Sequence, residues 1–237
     1  MLDETAATFE QLSAGAEVLV LAAPLDATLE QLAVLRRVPS AAELILDVAS
    51  VKEPVARAGA HVERFVATHP IAGSERSGFA AARADLFDGK MWAYDCNTAE
   101  PLRGLVRAFI ADMGARPLPI DPAEHDRIVA YTSHLPQLLS VLLGAELASR
   151  LDRPDVSALC GTGIASMLRL SRSSWDVWEP ILRSNAAPIA QEVRAFAAIL
   201  MDAATTLESG HPHALEPTFK AASTAAARIQ SNPETAP

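Results

Sequence analysis

The sequence of 237 residues is poor in cysteine, in basic side chains and in long apolar runs, and each shortage excludes a class of protein. Its only cysteines, Cys96 and Cys160, form no C-x-x-C motif, which argues against a disulfide framework or a thiolate metal site and favours the reducing cytoplasm. The 29 acidic residues outnumber the 20 Lys and Arg residues, so the net charge of −9 disfavours binding to nucleic acid or to an anionic membrane. The most apolar stretches, such as residues 138–147, are shorter than the roughly 20 residues that span a bilayer.

The first half of the chain has the pattern of an α/β domain with a parallel sheet. Runs that are apolar without alternation are typical of parallel strands covered on both faces. Three such runs, separated by helix-compatible stretches, lie at residues 17–24, 43–48 and 64–68. A strand at 91–96, a helix at 101–114 and a strand at 115–120 continue the alternation. We therefore expect an α/β domain over residues 1–121.

The second half of the chain, residues 122–237, lacks strand signals and is typical of an all-helical domain. Its helix-like segments are rich in Ala and Leu and lie at residues 123–150, 164–170, 178–207 and 214–230. Wide apolar faces on such helices need covering, so we expect a homodimer.

The predicted strand at residues 17–24 reads as a central strand, yet only a short segment at residues 9–14 precedes it. A long apolar strand left at a sheet edge invites aggregation, so something should pair with its other edge. Either a partner chain covers this edge or the chain begins part-way through a larger domain, and we favour the second explanation.

Three candidate residues follow the predicted strands, namely Pro24, Ser50 and His69. Ligands of an open parallel sheet bind outside the carboxyl ends of its strands, so these three residues are candidates for a ligand site. Ser50 also stands three residues before Glu53, which fits a capping box at a helix start as well as a catalytic role. The neighbouring Lys52 is expected on the surface, unless an anion lies beside it.

His69 opens the loop HPIAGSERSG, in which proline and glycines shape the backbone near the imidazole. The pKa of a histidine is ordinarily near neutrality, so His69 is a candidate general base. Ser74 and Glu75 lie in the same loop and either line a site or belong to an exposed turn.

The helical half supplies further candidates. His134 lies two residues before Pro136, where a helix is expected to kink and open to a ligand; the alternative is a histidine buried between helices. Gly163, in the segment GTGIAS, lets the backbone approach a ligand closely, although this segment comes too late to be a dinucleotide loop. Arg169 suits a carboxylate ligand, or is a surface residue. His125 and His134 lack the i, i+4 spacing of a helical metal pair, so no metal is expected.

Four segments together resemble the prephenate and arogenate dehydrogenases of tyrosine biosynthesis. They are LDVASVK at 46–52, HPIAGSERSGFAAARADLF at 69–87, EHDRIVAYTSHLP at 124–136 and RLSRSSWDVW at 169–178. Their order and spacing also match, and the similarity covers nearly the whole chain. The resemblance implies a partial Rossmann nucleotide-binding domain followed by a helical dimerisation domain. It also implies oxidation of prephenate or arogenate with NAD or NADP and the release of carbon dioxide.

The resemblance implies a role for each candidate residue. His69 matches the histidine that takes the proton of the ring hydroxyl, and Ser50 matches the serine that orients this pair. Pro24 and Ser50 are expected beside the cofactor, and Arg169 matches the arginine that binds the ring carboxylate. The residues expected near the substrate are His134, Ser74, Glu75 and Gly163. Gln137 stands where many members have a second histidine, so that part of the pocket is expected to differ.

One part of the family pattern is not found ahead of residues 17–24: a strand, a G-x-G-x-x-G turn and an acidic residue. That turn binds the pyrophosphate at a helix N-terminus, so we expect this chain to bind NAD(P) weakly and to turn over slowly. A shortened chain is the simplest explanation. The alternative is a non-catalytic homologue that binds prephenate without a cofactor. Another type of hydroxyacid dehydrogenase would need a catalytic lysine in the helical half, where only Lys220 occurs.

Overall fold

The computed structural model describes residues 5–38, 40–73 and 82–230, in which an α/β half precedes a helical half. The strands in these ranges are Val18–Leu21 (β1), Leu44–Asp47 (β2), Phe65–Val66 (β3), Thr68–Pro70 (β4), Met91–Asp95 (β5) and Arg116–Ile120 (β6). The α-helices of the first half are Phe9–Gly15 (α1), Leu25–Leu35 (α2), Glu53–Gly59 (α3) and Leu102–Asp112 (α4). Those of the second half are Pro122–Val129 (α5), Leu135–Ala148 (α6), Pro154–Ala158 (α7), Thr162–Met167 (α8), Trp175–Ser184 (α9), Ala186–Glu208 (α10) and Glu216–Gln230 (α11). The predicted fold class, a Rossmann-like sheet followed by helices, is confirmed.

The strands form two three-stranded sheets that are joined through one chain segment. β1, β2 and β3 lie adjacent in that order, and they are parallel, as predicted. β4 follows β3 after Ala67, whose carbonyl oxygen accepts a hydrogen bond of 3.0 Å from the amide of Asp95 in β5. β5 and β6 are parallel, but β4 and β5 are antiparallel, which differs from the expected alternation. The register brings Trp92 beside Pro70, so the chain reverses direction between these strands and does not cross over.

Two apolar clusters cover the two faces of β2. Ile45 packs with residues of α2 and α3 on one face, whereas Leu44 and Leu46 pack with Val66 and Trp92 on the other. All four residues of β2 are buried, as expected for a parallel strand with both faces covered.

β1 lies at the edge of its sheet, where β2 is its only partner among the described strands. Leu19 and Leu21 are buried, but Val18 and Val20 are 43% and 40% exposed. The prediction of a central strand with both faces covered is therefore wrong for β1 in this structure. A short apolar run has the same sequence pattern whether or not its second face is covered, so the pattern alone could not show the difference.

α5, a π-helical turn at Ala130–His134 and α6 form one continuous helix, Pro122–Ala148. By length and composition this helix is able to cross a membrane, which residues 138–147 alone are too short to do. It also carries the polar side chains of His125, Asp126 and His134 in buried positions. Some of these buried ionisable groups contact the α/β half. This arrangement is typical of a core helix in a folded domain.

The helix expected over residues 178–207 is two helices, α9 and α10, with Asn185 between them. Pro188 lies in the first turn of α10. In a continuous helix the ring of Pro188 would clash with the carbonyl of Ser184, so the chain breaks before it. The break leaves the buried amide of Asn185 facing the helix Pro122–Ala148.

Candidate active site

The junction of the two halves brings His69 of β4 against His125 of α5. Nδ1 of His69 lies 2.9 Å from Nε2 of His125, and the two rings meet edge to face with their centroids 5.1 Å apart. His69 is partly buried and His125 is buried. The candidate base therefore lies where the sheet meets the helical half.

The strand that carries His69 is held in place through Thr68. The amide of Thr68 donates to Asp47 Oδ1 at 2.8 Å, and its carbonyl oxygen accepts from Lys52 Nζ at 2.6 Å. The hydroxyl of Thr68 donates to the carbonyl oxygen of Asp47 and accepts from Trp92 Nε1 at 2.9 Å. Each polar group of Thr68 has a partner, so the backbone next to His69 is rigidly positioned.

Asp47 and Lys52 form a buried ion pair behind this strand. Lys52 is 2% exposed and Asp47 is 0% exposed. Burial lowers the pKa of Lys52 and raises the pKa of Asp47, while the attraction between the two charges opposes both shifts. The expectation that Lys52 lies on the surface is wrong, because the Asp47 carboxylate is the anion that makes its burial tolerable.

Helix α3 is capped by a side chain from the helical half. Asp126 Oδ1 accepts from the amide of Lys52 at 2.7 Å, and Asp126 Oδ2 accepts from the amide of Glu53 at 2.8 Å. Amides at a helix start have no partner within their own helix, so this carboxylate satisfies two of them. The capping box predicted from Ser50 and Glu53 is therefore wrong. Ser50 is partly buried, and its hydroxyl has no hydrogen-bond partner in the part of the chain that the structure describes.

Pro24 and Ser50 lie at the same edge of the parallel sheet, and the donors there fit the nicotinamide end of a dinucleotide. Leu21 and Asp47, the last residues of β1 and β2, pair with each other. Pro24 and Ser50 therefore follow the carboxyl ends of two neighbouring strands. Pro24 is exposed and precedes α2 without a side-chain cap. The first amides of α2 and the hydroxyl of Ser50 have no side-chain partner among the described residues, and they are donors of the kind that a carboxamide or a phosphate oxygen accepts.

A π-helical turn shapes the long helix beside the site. Pro136 has no N–H, so the carbonyl of Thr132 cannot be satisfied in the α-helical manner. The amide of Leu135 instead bonds to the carbonyl oxygen of Ala130, which widens the helix by one residue. The irregularity expected near Pro136 is present as this wider turn, but the helix continues through it from Pro122 to Ala148 and is not broken.

His134 ends the π-helical turn and is 1% exposed. Its Nδ1 lies 3.2 Å from Asn185 Nδ2, and its ring meets Trp178 edge to face at 5.7 Å. Burial, together with the charge of His125, lowers the pKa of His134 to about 4, against the opposing attraction of Asp126. His134 is therefore neutral at pH 7 and is packed between helices, and its contact with a substrate stays a prediction.

Arg169 is exposed and directly precedes a 3-10 turn at Leu170–Arg172. The side-chain amide of Gln137 donates to the carbonyl oxygen of Leu170 at 2.9 Å. Gln137 lies three residues after His134, so the segment of Arg169 is anchored to the helix that carries His134 and His125. A cavity shared by His69 and Arg169 stays a prediction.

The three remaining predicted residues are Gly163, Ser74 and Glu75. Gly163 is exposed in α8, and no described atom lies within 4 Å of the position that a Cβ would take there. Ser74 and Glu75 lie outside the described residues. Their predicted places near a substrate remain untested.

The surroundings of His69 suit a proton acceptor. Burial holds the pKa of His69 well below its usual value. The positive charge of Lys52, and the charges that His125 and His134 carry when they are protonated, lower it further. The imidazole is therefore neutral at pH 7 and has a lone pair to offer. Within residues 5–38, 40–73 and 82–230, no group of three His, Cys, Asp or Glu side chains is arranged to hold a metal ion.

Sequence reasoning missed the residues that support His69. Asp47 was read only as the end of an apolar strand, although a charged residue that closes such a run is a signal of a buried polar network. Of His125 and Asp126, only His125 is considered from the sequence, for its spacing from His134, and Asp126 is not among the candidates. Both residues lie near the start of α5, and nothing in the local sequence indicates that Asp126 contacts the start of α3, 73 residues earlier.

Two family models match the chain in succession. Residues 1–116 match the model described as "Prephenate dehydrogenase, nucleotide-binding domain", and residues 121–221 match "Prephenate dehydrogenase, dimerization domain". The chain is 33% identical over 177 residues to a probable prephenate dehydrogenase, NovF, of Streptomyces niveus, covering 71% of this chain and 47% of that protein. It is 27% identical over 213 residues to the prephenate dehydrogenase of Lactococcus lactis subsp. cremoris, covering 86% and 58%. The chain thus spans about half the length of the curated relatives it matches.

Solved structures show the same fold. Prephenate dehydrogenase of Aquifex aeolicus, in complex with hydroxyphenyl propionate and NAD+, superposes with a TM-score of 0.86 at 24% identity, over 96% of this chain and 82% of that one. Arogenate dehydrogenase of Synechocystis superposes with a TM-score of 0.79 at 22% identity, over 96% and 84%.

Proposed function

The chain belongs to the prephenate dehydrogenase family, and from this membership we propose that it carries the base and the substrate-binding residues of an NAD(P)-dependent dehydrogenase acting on prephenate or arogenate. The observation that carries the proposal is the neutral imidazole of His69, fixed at the end of a sheet strand against His125. A base in this state is what the oxidation of a ring hydroxyl requires.

In the proposed reaction His69 takes the proton of the ring hydroxyl while the carbinol carbon loses a hydride. When bound, the nicotinamide supplies the hydride acceptor, and Pro24 and Ser50 would hold that end of the cofactor. Loss of carbon dioxide then leaves an aromatic ring, and its phenolate oxygen takes the proton back from His69. Ser50 orients the hydroxyl toward the imidazole. The rigid hold on Thr68 keeps His69 in position through these steps.

The guanidinium of Arg169 binds the ring carboxylate in this proposal, because a planar guanidinium accepts a carboxylate in a bidentate manner. The anchoring of Leu170 by Gln137 supports a fixed position for Arg169. His134, Gly163, Ser74 and Glu75 are proposed to lie near the substrate.

We propose further that residues 1–121 and 122–237 are the nucleotide-binding and dimerisation domains of a cytoplasmic homodimer. Exposed apolar side chains on the long helices of the second half support a dimer. They include Leu142, Ile199, Leu200, Met201 and Phe219. Side chains of this size, exposed on neighbouring helices, need a covering surface.

The purified chain is tested by incubation with prephenate or arogenate and with NAD+ or NADP+ in large excess. We expect one combination to yield reduced nicotinamide and an equal amount of carbon dioxide. If no combination yields reduced nicotinamide although calorimetry detects prephenate binding, the chain is a non-catalytic binding protein and the proposed activity is wrong.

Arg169→Gln is expected to raise KM for the substrate about 10- to 100-fold with a smaller change in kcat, because a charge-assisted hydrogen bond contributes about 1.5–3 kcal/mol. Steady-state kinetics at several substrate concentrations measure the two constants separately. Arg172→Gln is the matched control, since Arg172 is exposed three residues further along and has no proposed ligand. Equal KM values for the two variants would rule out the role of Arg169.

A further inference from the structure

The carboxylate of Asp126 accepts three N–H bonds. Oδ1 accepts from the amide of Lys52 at 2.7 Å and lies 2.8 Å from His125 Nδ1, and Oδ2 accepts from the amide of Glu53 at 2.8 Å. An ionised carboxylate only accepts hydrogen bonds, so His125 Nδ1 must be the nitrogen that carries the proton. The side chains of His125 and Asp126 are each 3% exposed, so water does not compete for these bonds.

The position of the proton on His125 determines the position of the proton on His69. When His125 carries a single proton, that proton is on Nδ1, so its Nε2 is a lone pair. Nε2 faces Nδ1 of His69 at 2.9 Å, so His69 must donate from Nδ1. A neutral His69 with its proton on Nδ1 has its lone pair on Nε2, the nitrogen that points away from His125.

We propose that His125 and Asp126 are positioning residues that fix His69 in the tautomer with a free Nε2, the form that can accept a proton from substrate. This inference rests on the proposed function in that the accepted proton is that of the ring hydroxyl. The bond that breaks is the substrate O–H and the bond that forms is Nε2–H of His69. The Nδ1 proton stays in the hydrogen bond to His125.

The same pair stabilises His69 after it accepts the proton. The imidazolium then faces the positive charge of Lys52, which opposes it, and the ring of His125, whose far nitrogen bonds to the Asp126 carboxylate. His134 is neutral at pH 7 and adds no positive charge there. Polarisation of the His125 ring by that carboxylate strengthens its Nε2 as an acceptor. Asp126 is therefore the anion in the chain of hydrogen bonds behind the base, whereas the other buried carboxylate nearby, Asp47, is paired with Lys52.

The cap on α3 and the tautomer of His69 are separable by mutation. Asp126 bonds directly to the amides of Lys52 and Glu53, so these bonds persist when only His125 is changed. His125→Phe keeps a ring of similar size and the cap, but it removes the acceptor for His69 Nδ1. Asp126→Asn removes both functions, since one amide oxygen cannot accept three N–H bonds.

The test combines ring-nitrogen NMR with kinetics on the full chain. In histidine-¹⁵N-labelled protein at mildly alkaline pH, we expect the His69 signals, identified by their loss in His69→Gln, to show the Nδ1–H tautomer. In His125→Phe we expect the Nε2–H tautomer to become populated, with kcat lower by roughly 10²- to 10⁴-fold and KM little changed. Asp121→Asn is the matched control on the same helix, because Asp121 is exposed and asparagine also caps helices.

The outcomes separate this inference from the proposed function. An Nε2–H tautomer of His69 in the unmodified chain, or an unchanged tautomer in His125→Phe, would overturn it. If the unmodified chain shows no turnover, the proposed function fails, and the NMR signals alone decide whether His125 and Asp126 set the tautomer. If His69 keeps its tautomer in His125→Phe and the variant is only less stable, then His125 and Asp126 have a structural role alone.

Discussion

Replacing Lys52 by Met lowers the free energy of unfolding by about 3–5 kcal/mol, because the substitution leaves the Asp47 carboxylate buried without its partner. Thr68 also loses the ammonium that bonds to its carbonyl oxygen. Urea denaturation at a fixed protein concentration measures the loss. Lys220→Met is the control, since the ion pair of Lys220 with Glu216 is on the surface and its loss should change stability by less than about 1 kcal/mol.

The effect of Lys52→Met should depend on pH. The pKa of Asp47 is already raised by burial, and it rises further when the positive charge is removed. A carboxyl whose pKa is higher in the folded state binds its proton more readily there, so folding stability falls as the pH rises from the pKa of the unfolded chain to the raised pKa of the folded protein, and then levels off. The variant should therefore be more strongly destabilised at pH 8 than at pH 5.

A second substitution separates lost charge from lost packing. In Asp47→Asn/Lys52→Met no buried charge remains, so we expect the double variant to regain part of the stability that Lys52→Met loses. A single variant with the stability of the unmodified chain would show that Asp47 and Lys52 are not coupled in the folded state.

The parts of the fold that could be predicted from the sequence are those that depend on local patterns. The strands at 44–47 and 91–95 and the irregular helical turn near Pro136 depend on local patterns, namely apolar runs and a missing amide, and they were predicted. His69 was found because a histidine at a strand end is itself a local feature.

The support of His69 depends on contacts between distant parts of the chain. Asp126 caps α3 although 73 positions separate it from Glu53, and no local pattern encodes that contact. The local sequence DVASVKEP is also compatible with a cap on α3 by Ser50. The tertiary contact with Asp126, and not the local sequence, determines which side chain caps the helix. Lys52 was expected on the surface because its partner Asp47 was counted as part of a strand.

His69→Gln is expected to lower kcat about 10²- to 10⁴-fold in the reaction proposed above, since a glutamine amide cannot take the hydroxyl proton. KM should change less, because the carboxylate of the substrate is bound by Arg169 in this proposal. Steady-state rates of nicotinamide reduction measure both constants. His61→Gln is the matched control, since His61 is exposed and makes the same change in charge.

The dependence of kcat/KM on pH tests the state of His69 in the unmodified chain. A base acts in its neutral form, so the rate falls as the pH drops through the pKa of His69. Burial and the charges of Lys52, His125 and His134 hold that pKa well below 6.5, so the rate should stay level from pH 8 to below pH 6.5 and fall only in more acidic solution. A fall centred near or above pH 6.5, or a His69→Gln variant within a few fold of the unmodified rate, would show that another group takes the proton.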